Sequence, residues 1–277
     1  MTILVTGATG NAGRRVVDEL LALGREVRAV TRNAAAARLP AGVEVVEGDL
    51  TRPETIPFDG VTGAHLLTNA GDDYADLLTG PELVERAEKA GVGRVTVLWS
   101  GSRSPLEEAV TASSLEWTVL RPVDFMSNAL VWAESVRATG EVREPFAYAR
   151  SALVHEGDIG AVAAAVLVRG GHGGRTYTLT GPEALSVPEQ VAAIAAATGR
   201  EIRYVEQSEE EARAGMLAAG RPAEVVDLLL GWKRDMPAVG YTVVSDVEDV
   251  LGRPARSFAS WAREHAGAFV SGADTRR

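Results

Sequence analysis

The sequence predicts an α/β fold built on a doubly wound parallel sheet, with a smaller α/β lobe in its C-terminal part. Three observations carry the prediction. Strand-like apolar runs alternate with helical patterns from Met1 to about Pro122, which is the signature of a parallel sheet with right-handed crossovers. The first run, Ile3-Leu4-Val5-Thr6, breaks into three glycines spaced three apart, Gly7, Gly10 and Gly13. From Val123 the alternation loosens. Residues 1–122 therefore read as a dinucleotide-binding domain. Residues 123–277 read as a mixed segment that completes the fold.

The bulk composition bounds the function. A chain of 277 residues with 46% hydrophobic residues can bury a large core. A net charge of −10 argues against direct nucleic-acid binding, which needs a basic face. The absence of cysteine excludes disulfides, thiolate catalysis and zinc–thiolate sites. Lysine occurs only at Lys89 and Lys233, so catalytic lysines have two candidates. No signal peptide precedes the first strand, and no run reaches the ~18 apolar residues of a membrane span. The expectation is a soluble cytoplasmic protein with no membrane role and no metal.

In chain order, the glycine turn comes first. Directly after it, Ala12, Val16, Leu20 and Leu23 recur at helical spacing. The reading is strand, tight turn, helix, and its chemistry follows. A diphosphate can sit at the helix N-terminus, where free N–H groups and the helix dipole favour an anion. Gly7 permits the turn, Gly10 lets the backbone approach the phosphates, and Gly13 lets the helix pack close. Ala8, Thr9, Asn11 and Ala12 complete the loop. The spacing G-x-x-G-x-x-G is a variant of the usual dinucleotide fingerprint.

The second strand, Glu26–Thr31, ends at Thr31-Arg32-Asn33. An NAD site usually has an acid here. Arg32 instead suits the 2′-phosphate of NADP, although a solvated loop arginine is the alternative. A third strand, Val43–Glu47, closes in Gly48-Asp49-Leu50. There Asp49 can hold an adenine amine while Leu50 covers the ring, or Asp49 can be the N-cap of a helix, preceding Thr51-Arg52-Pro53-Glu54; both can hold together. A fourth strand, Gly63–Thr68, ends at Thr68 and Asn69 on the ligand-facing edge. A helix is expected from about Asp76 to Ala90, ending at Gly91. A fifth strand, Val92–Trp99, leads to Ser100, a helix from Pro105 to Ser113, and a sixth strand, Glu116–Leu120, before Arg121-Pro122.

Beyond Val123, helices are expected at about Asp124–Arg137, Asp158–Arg169, Val187–Thr198, Glu209–Ala219, Ala223–Leu230 and Ser257–Ala268, with short strands near Thr176–Thr180 and Ile202–Val205. Asp158 and Ser186 read as N-caps, the latter with Glu189 as a capping box. Ser271–Arg277 reads as a frayed tail.

With these motifs in hand, the chain resembles the NmrA-like group of atypical short-chain dehydrogenase/reductases, which are Rossmann proteins. The resemblance rests on Thr6-Gly7-Ala8-Thr9-Gly10-Asn11-Ala12-Gly13, Thr31-Arg32-Asn33, Gly48-Asp49-Leu50 and Trp117-Thr118-Val119-Leu120-Arg121-Pro122. Phe125-Met126-Ser127-Asn128, Asp158-Ile159-Gly160-Ala161-Val162-Ala163 and Tyr177-Thr178-Leu179-Thr180-Gly181-Pro182 continue it. It implies cofactor binding by the glycine loop, by Thr31, Arg32, Asp49 and Leu50, and by the edge around Thr68, Asn69, Ser100 and Pro122. NADP(H) is expected in preference to NAD(H). It also implies that residues 123–277 form a small substrate lobe over the nicotinamide end. The candidate pocket wall is Phe125, Met126, Trp132, Phe146, Tyr148 and Trp232, and core packing is the default reading of each. Tyr148 and His155 are the polar groups expected near the mouth.

One departure concerns catalysis. Typical short-chain dehydrogenases use a Tyr-x-x-x-Lys pair, in which the lysine eases proton loss from the tyrosine. Tyr74, Tyr148, Tyr177, Tyr204 and Tyr241 all lack a lysine four residues on. Tyr148 and Ser100 remain the catalytic candidates. Hydride transfer to an acceptor that stabilises its own charge needs no strong acid. The expected activity is therefore NAD(P)H-dependent reduction of a quinone, conjugated carbonyl or polycyclic aromatic. A tailoring step of aromatic polyketide biosynthesis, reductive or oxygenating, belongs to the same reading. The partner is a small aromatic or quinone-like molecule, and a homodimer is the assembly considered. The alternative is a non-catalytic regulator that senses NAD(P).

Overall fold

The computed structural model describes residues 1–70, 75–99, 101 and 104–270. Ser100, Tyr74 and the tail 271–277 lie outside the described residues. Seven strands form one sheet: β1 (Thr2–Thr6), β2 (Glu26–Thr31), β3 (Glu44–Glu47), β4 (Val61–Leu67), β5 (Arg94–Leu98), β6 (Glu116–Pro122) and β7 (Arg175–Leu179). They lie in the order β7-β6-β5-β4-β1-β2-β3, and every neighbouring pair is parallel. The chain winds outward from β1 in one direction and then returns to the other side through β4. That reversal at β1 and β4 is where a doubly wound sheet binds ligands, outside its carboxyl ends. The sheet is the Rossmann arrangement that the sequence predicts.

The strands are apolar on both faces because helices cover both. Leu4, Leu66, Val95, Val97 and Val119 are fully buried in one shared core. Helix α1 (Asn11–Ala22) buries Ala12, Val16 and Leu20 along one stripe. Leu23, expected as the last position of that stripe, is instead the C-cap residue and is exposed.

Helix α2 spans Gly80–Lys89, with Pro81 in its first turn. The expected start at Asp76 is corrected: Ala75–Asp76 pairs with Asn69–Ala70 as a small antiparallel ladder. The helix begins only where proline suits a first turn. A Cβ at Gly80 would stand 2.4 Å from the backbone of Leu106, so α2 approaches α3 (Pro105–Ala112) through this glycine. Ser104 caps α3 by accepting from the Glu107 N–H at 3.2 Å.

Contacts divide the chain into two compact units. The first comprises Met1–Pro122, Glu156–Leu179 and Ser245–Pro254; the second comprises Val123–His155, Thr180–Val244 and Ala255–Arg277. The whole seven-stranded sheet belongs to the first unit, which the chain re-enters twice.

In the first unit, α5 (Glu156–Arg169, after α4 at Ala133–Thr139) packs on α1. A Cβ at Gly160 would lie 2.5 Å from the backbone of Arg15, which explains the glycine of Asp158-Ile159-Gly160. Asp158 is not the N-cap expected: it lies inside α5, fully buried, and accepts from Arg253 Nη2 at 2.8 Å.

In the second unit, the helix expected over Asp124–Arg137 is replaced by a 3-10 stretch, Met126–Trp132, running into α4 (Ala133–Thr139). The Asp124 carboxylate accepts from the Phe125 N–H at 2.9 Å and from Asn128 Nδ2 at 2.6 Å, which holds a turn where a helix would otherwise start. Helix α6 (Val187–Thr198) begins at Ser186 with the capping box that Glu189 completes. Its core gathers Trp261, Phe258, Phe269, Val136, Val142, Val191 and Ile194. Among the described residues, no helix is long and apolar enough to cross a membrane.

One buried group ties the sheet to pH. His65 on β4 is wholly buried, its Nδ1 lies 2.9 Å from Thr96 Oγ1, and its Nε2 has no partner. Burial alone pulls its pKa from 6.5 down to about 4. Between those values the unfolded chain binds a proton that the native protein refuses, so stability falls as pH drops through that window. At pH 5 the loss is about 2 kcal/mol, from 1.36 kcal/mol per unit. Urea unfolding at pH 7.5 and pH 5 should show the protein losing about that much more than His65→Leu; equal losses would place the pH dependence elsewhere.

Candidate functional site

The glycine turn sits at the carboxyl end of β1. Thr6 closes the strand: its hydroxyl donates to the His65 carbonyl at 3.0 Å and accepts from the Leu67 N–H at 3.1 Å. β1 and β4 are thereby tied together at the point where the strand order reverses. Gly7 then turns the chain with φ 60°, and a Cβ there would meet Leu67 Cδ1 at 2.4 Å. Gly10 donates its N–H to the Gly7 carbonyl at 2.9 Å and becomes the N-cap of α1.

The cap residue is a glycine and supplies no side-chain bond to the first turn, and no acid stands in that turn. The helix start is electropositive and unscreened by its own sequence. The three glycines differ in what they forbid. A Cβ on Gly13 would stand 2.1 Å from the Gly7 oxygen, whereas on Gly10 it would be 3.3 Å away with nothing else near. Gly13 is thus required by the turn itself, and Gly10 leaves an open backbone face. Thr9, Gly10 and Asn11 form the exposed rim, with Ala8, Ala12 and Gly13 buried beneath.

The second part of the site lies at the ends of β2 and β3. The Thr31 carbonyl accepts from the Gly48 N–H at 3.0 Å, and Asn33 caps a 3-10 turn by accepting from the Ala36 N–H at 3.1 Å. A cleft of about 300 Å³ opens there, lined by Arg32, Glu47, Gly48, Asp49, Arg52 and Thr55. Two sequence-derived candidates, Arg32 and Asp49, therefore share one cleft. Asp49 accepts from the Thr51 N–H at 2.9 Å and the Thr51 hydroxyl at 2.8 Å. These bonds hold its carboxyl below the ordinary aspartate range, against a smaller opposing effect of burial, with Arg52 and Arg32 adding to the lowering. Asp49 is not the helix N-cap expected: the 3-10 turn Pro53–Thr55 starts from Arg52, and the Asp49 carboxylate is held by Thr51 instead. Arg52 was missed from sequence, since only the closed Asp49–Arg52 turn brings it to Arg32.

The remaining candidates sit at the same edge or elsewhere. Leu50 is partly buried against the sheet core, and its carbonyl accepts from Thr79 Oγ1 at 2.6 Å. Thr68 is fully buried and donates to the Leu98 carbonyl at 3.2 Å. Asn69 opens the short ladder after β4, and Pro122 ends β6 beside Leu179.

Phe125, Met126, Tyr148 and His155 all belong to the second unit. Met126 is buried in that unit's core. Phe125 is half-buried, and its carbonyl accepts from the Asn128 N–H at 3.0 Å. His155 is buried with Nε2 3.2 Å from a Glu264 carboxylate oxygen. Tyr148 is exposed, and its hydroxyl donates to the Arg234 carbonyl at 3.3 Å. Its ring lies edge-on, 6.0 Å from Phe146, a residue with φ 61°. Trp132 donates to Glu144 at 2.9 Å and Trp232 is exposed.

Comparison with known proteins gives a consistent picture. The profile of the NmrA-like family matches residues 1–222. An NAD(P)H azoreductase from Xenophilus azovorans is 35% identical over 284 aligned positions, covering 96% of this chain and 99% of that protein. A (4-alkanoyl-5-oxo-2,5-dihydrofuran-3-yl)methyl phosphate reductase from Streptomyces griseus is also 35% identical, covering 97% and 99%. The solved structure of Citrobacter sp. triphenylmethane reductase complexed with NADP(H) superposes with a TM-score of 0.79 at 23% identity, covering 96% of this chain and 100% of that one. With the glycine turn, the strand order and these matches in agreement, this chain is a member of the NmrA-like family.

Proposed function

We propose that this chain is an NADP(H)-dependent reductase that acts on a quinone-like or otherwise conjugated small molecule. The observation that carries the reading is the glycine-capped N-terminus of α1 above the Gly7–Gly13 turn, with an open backbone face at Gly10. A diphosphate fits there because the electropositive start of a helix capped by glycine meets an anion, and because no Cβ stands in its way. The cleft at Arg32 and Asp49 fits the adenosine end, with Arg32 facing the 2′-phosphate. When bound, the reduced nicotinamide supplies a hydride and is left oxidised.

The names of the two relatives support the acceptor class. An azo group and a dihydrofuranone bearing two carbonyls both spread incoming charge over a conjugated system. Such acceptors suit a chain in which no tyrosine is followed by lysine four residues on. A tailoring step on an aromatic polyketide fits the same chemistry. The test is oxidation of NADPH, followed by absorbance, in the presence of 1,4-naphthoquinone and an azo dye. Turnover with either supports the reading; saturable NADPH binding with no oxidation by any conjugated acceptor would favour a cofactor-sensing regulator instead.

Arg32 carries the cofactor preference. Removing one charge-assisted partner costs about 1.5–3 kcal/mol, so Arg32→Ala should weaken NADPH by roughly 10- to 100-fold while NADH changes little. Fluorescence titration of both cofactors checks it, and equal losses would remove Arg32 from the 2′-phosphate site.

A further inference from the structure

A second polar constellation lies in the first unit, at the carboxyl ends of β5 and β6. Glu107 stands in the first turn of α3 with its side chain 7% exposed. Its Oε1 accepts from Arg121 Nη2 at 2.6 Å. Arg121 is the penultimate residue of β6, and its guanidinium carbon lies 5.2 Å from the ring centroid of Trp99, which directly follows β5. The carboxylate and the indole thus fix one guanidinium from two sides. Three atoms of this cluster are buried with no hydrogen-bond partner: Trp99 Nε1, Glu107 Oε2 and Arg121 Nε.

Leaving a polar atom buried and unpaired costs stability, and native proteins carry few of them. Three in one ion pair and its stacking partner set this place apart from the rest of the core. The fold explains the location, since ligands of a parallel sheet meet it outside the strands' carboxyl ends. The Arg121 side chain keeps 40% of its surface exposed. It is therefore both fixed and reachable, which is what stabilisation of a developing charge requires.

We propose that Arg121 is the oxyanion-binding residue of the reductase, with Glu107 and Trp99 as its positioning residues. This rests on the reductase reading above and adds the group that meets the acceptor. Hydride addition to a conjugated carbon forms one C–H bond, and the displaced π pair moves to the carbonyl oxygen. That oxygen becomes an oxyanion, is held by the guanidinium, and later takes a proton from water, which completes a two-electron reduction. A fixed cation at the oxygen replaces the acid that a tyrosine–lysine pair would provide. It favours acceptors whose reduced form carries charge on oxygen, such as quinones and conjugated lactones.

The test uses two probes on the full-length protein. The first is 2-hydroxy-1,4-naphthoquinone, ionised at neutral pH, titrated into the protein with saturating NADP⁺ as a mimic of the charged product. The protein should bind it, and Arg121→Gln should weaken it by at least ~10-fold while NADPH affinity stays within about twofold. The second is 1,4-naphthoquinone turnover, where Arg121→Gln should lower kcat by roughly 10²- to 10³-fold with little change in KM, because the neutral ground state makes little use of the charge.

Arg121→Gln leaves a buried carboxylate unpaired, so its melting temperature should fall. The double variant Glu107→Gln/Arg121→Gln should recover that temperature without recovering anion binding or kcat. Recovery of both in the double variant, or a single variant with normal anion affinity and kcat, would overturn the proposal. So would a wild-type protein that binds NADPH but not the anion, which leaves the cofactor reading intact. A wild-type protein that binds no NADPH would instead overturn the reading on which the proposal rests.

Discussion

Replacing Gly10 with valine removes nicotinamide dinucleotide binding, by ~100-fold or more for both NADPH and NADH, and leaves the protein folded. The backbone at Gly10 has φ −81° and ψ 176°, an extended conformation that valine adopts readily. Its Cβ would face only the Gly7 oxygen, at 3.3 Å, so a shift of a few tenths of an ångström accommodates it. The two γ-carbons then occupy the face where the diphosphate approaches the N-terminus of α1. Loss of the several backbone hydrogen bonds to an anion, each about 1.5–3 kcal/mol, exceeds the 2.7 kcal/mol that ~100-fold requires. Gly13→Ala provides the contrast. Its Cβ would stand 2.1 Å from the Gly7 oxygen and 2.6 Å from the Gly7 carbonyl carbon, so the turn itself must open and the melting temperature should fall. Calorimetric titration and thermal unfolding of the two variants separate a blocked site from a broken turn. A Gly10→Val protein that binds NADPH normally would remove the turn from the site.

Arg253→Ala destabilises the protein by about 3 kcal/mol, the low end of the 3–5 kcal/mol seen when a buried pair loses one member. Asp158 has no exposed side-chain surface, and Arg253 Nη2 reaches its Oδ1 at 2.8 Å. Removing the guanidinium takes a charge partner from a carboxylate buried inside the first unit. Arg253 is itself partly exposed, which moderates the loss. At roughly 2–4 °C per kcal/mol for units of this size, the melting temperature should drop by about 6–12 °C. Asp158→Asn combined with Arg253→Met should regain most of the loss, because no buried carboxylate is then left to lose a charge partner. Urea unfolding of the three variants gives the coupling. Losses below about 1 kcal/mol would mean that the pair behaves as an ordinary surface bridge.

What could be read from the sequence follows the range of the interactions. The glycine turn, its helix and the alternation of strands with helices up to Pro122 were legible because each depends on neighbours a few residues away. The same holds for Ser186 and Glu189, whose capping box spans three residues. Asp158 shows the limit: a local reading makes it an N-cap, yet its partner Arg253 is 95 residues on. The turn at Asp124 failed for a related reason, since an aspartate before an apolar run serves a helix cap and a competing turn equally well. Arg52 reaches the cleft only once Asp49 folds the chain back through Thr51. Glu107 and Arg121 sit on different elements, and the apolar residues around them give no sign that they pair. Core packing, the default reading of Met126, is what the structure shows for it, whereas Trp232, read by the same default, is exposed.

The most direct test of the account is titration of the purified protein with NADPH, followed by quenching of intrinsic tryptophan fluorescence and repeated with Gly10→Val. The account predicts saturable quenching with one site in the wild type, with ~100-fold loss in the variant. No saturable response in the wild type, or equal responses in both proteins, would contradict it.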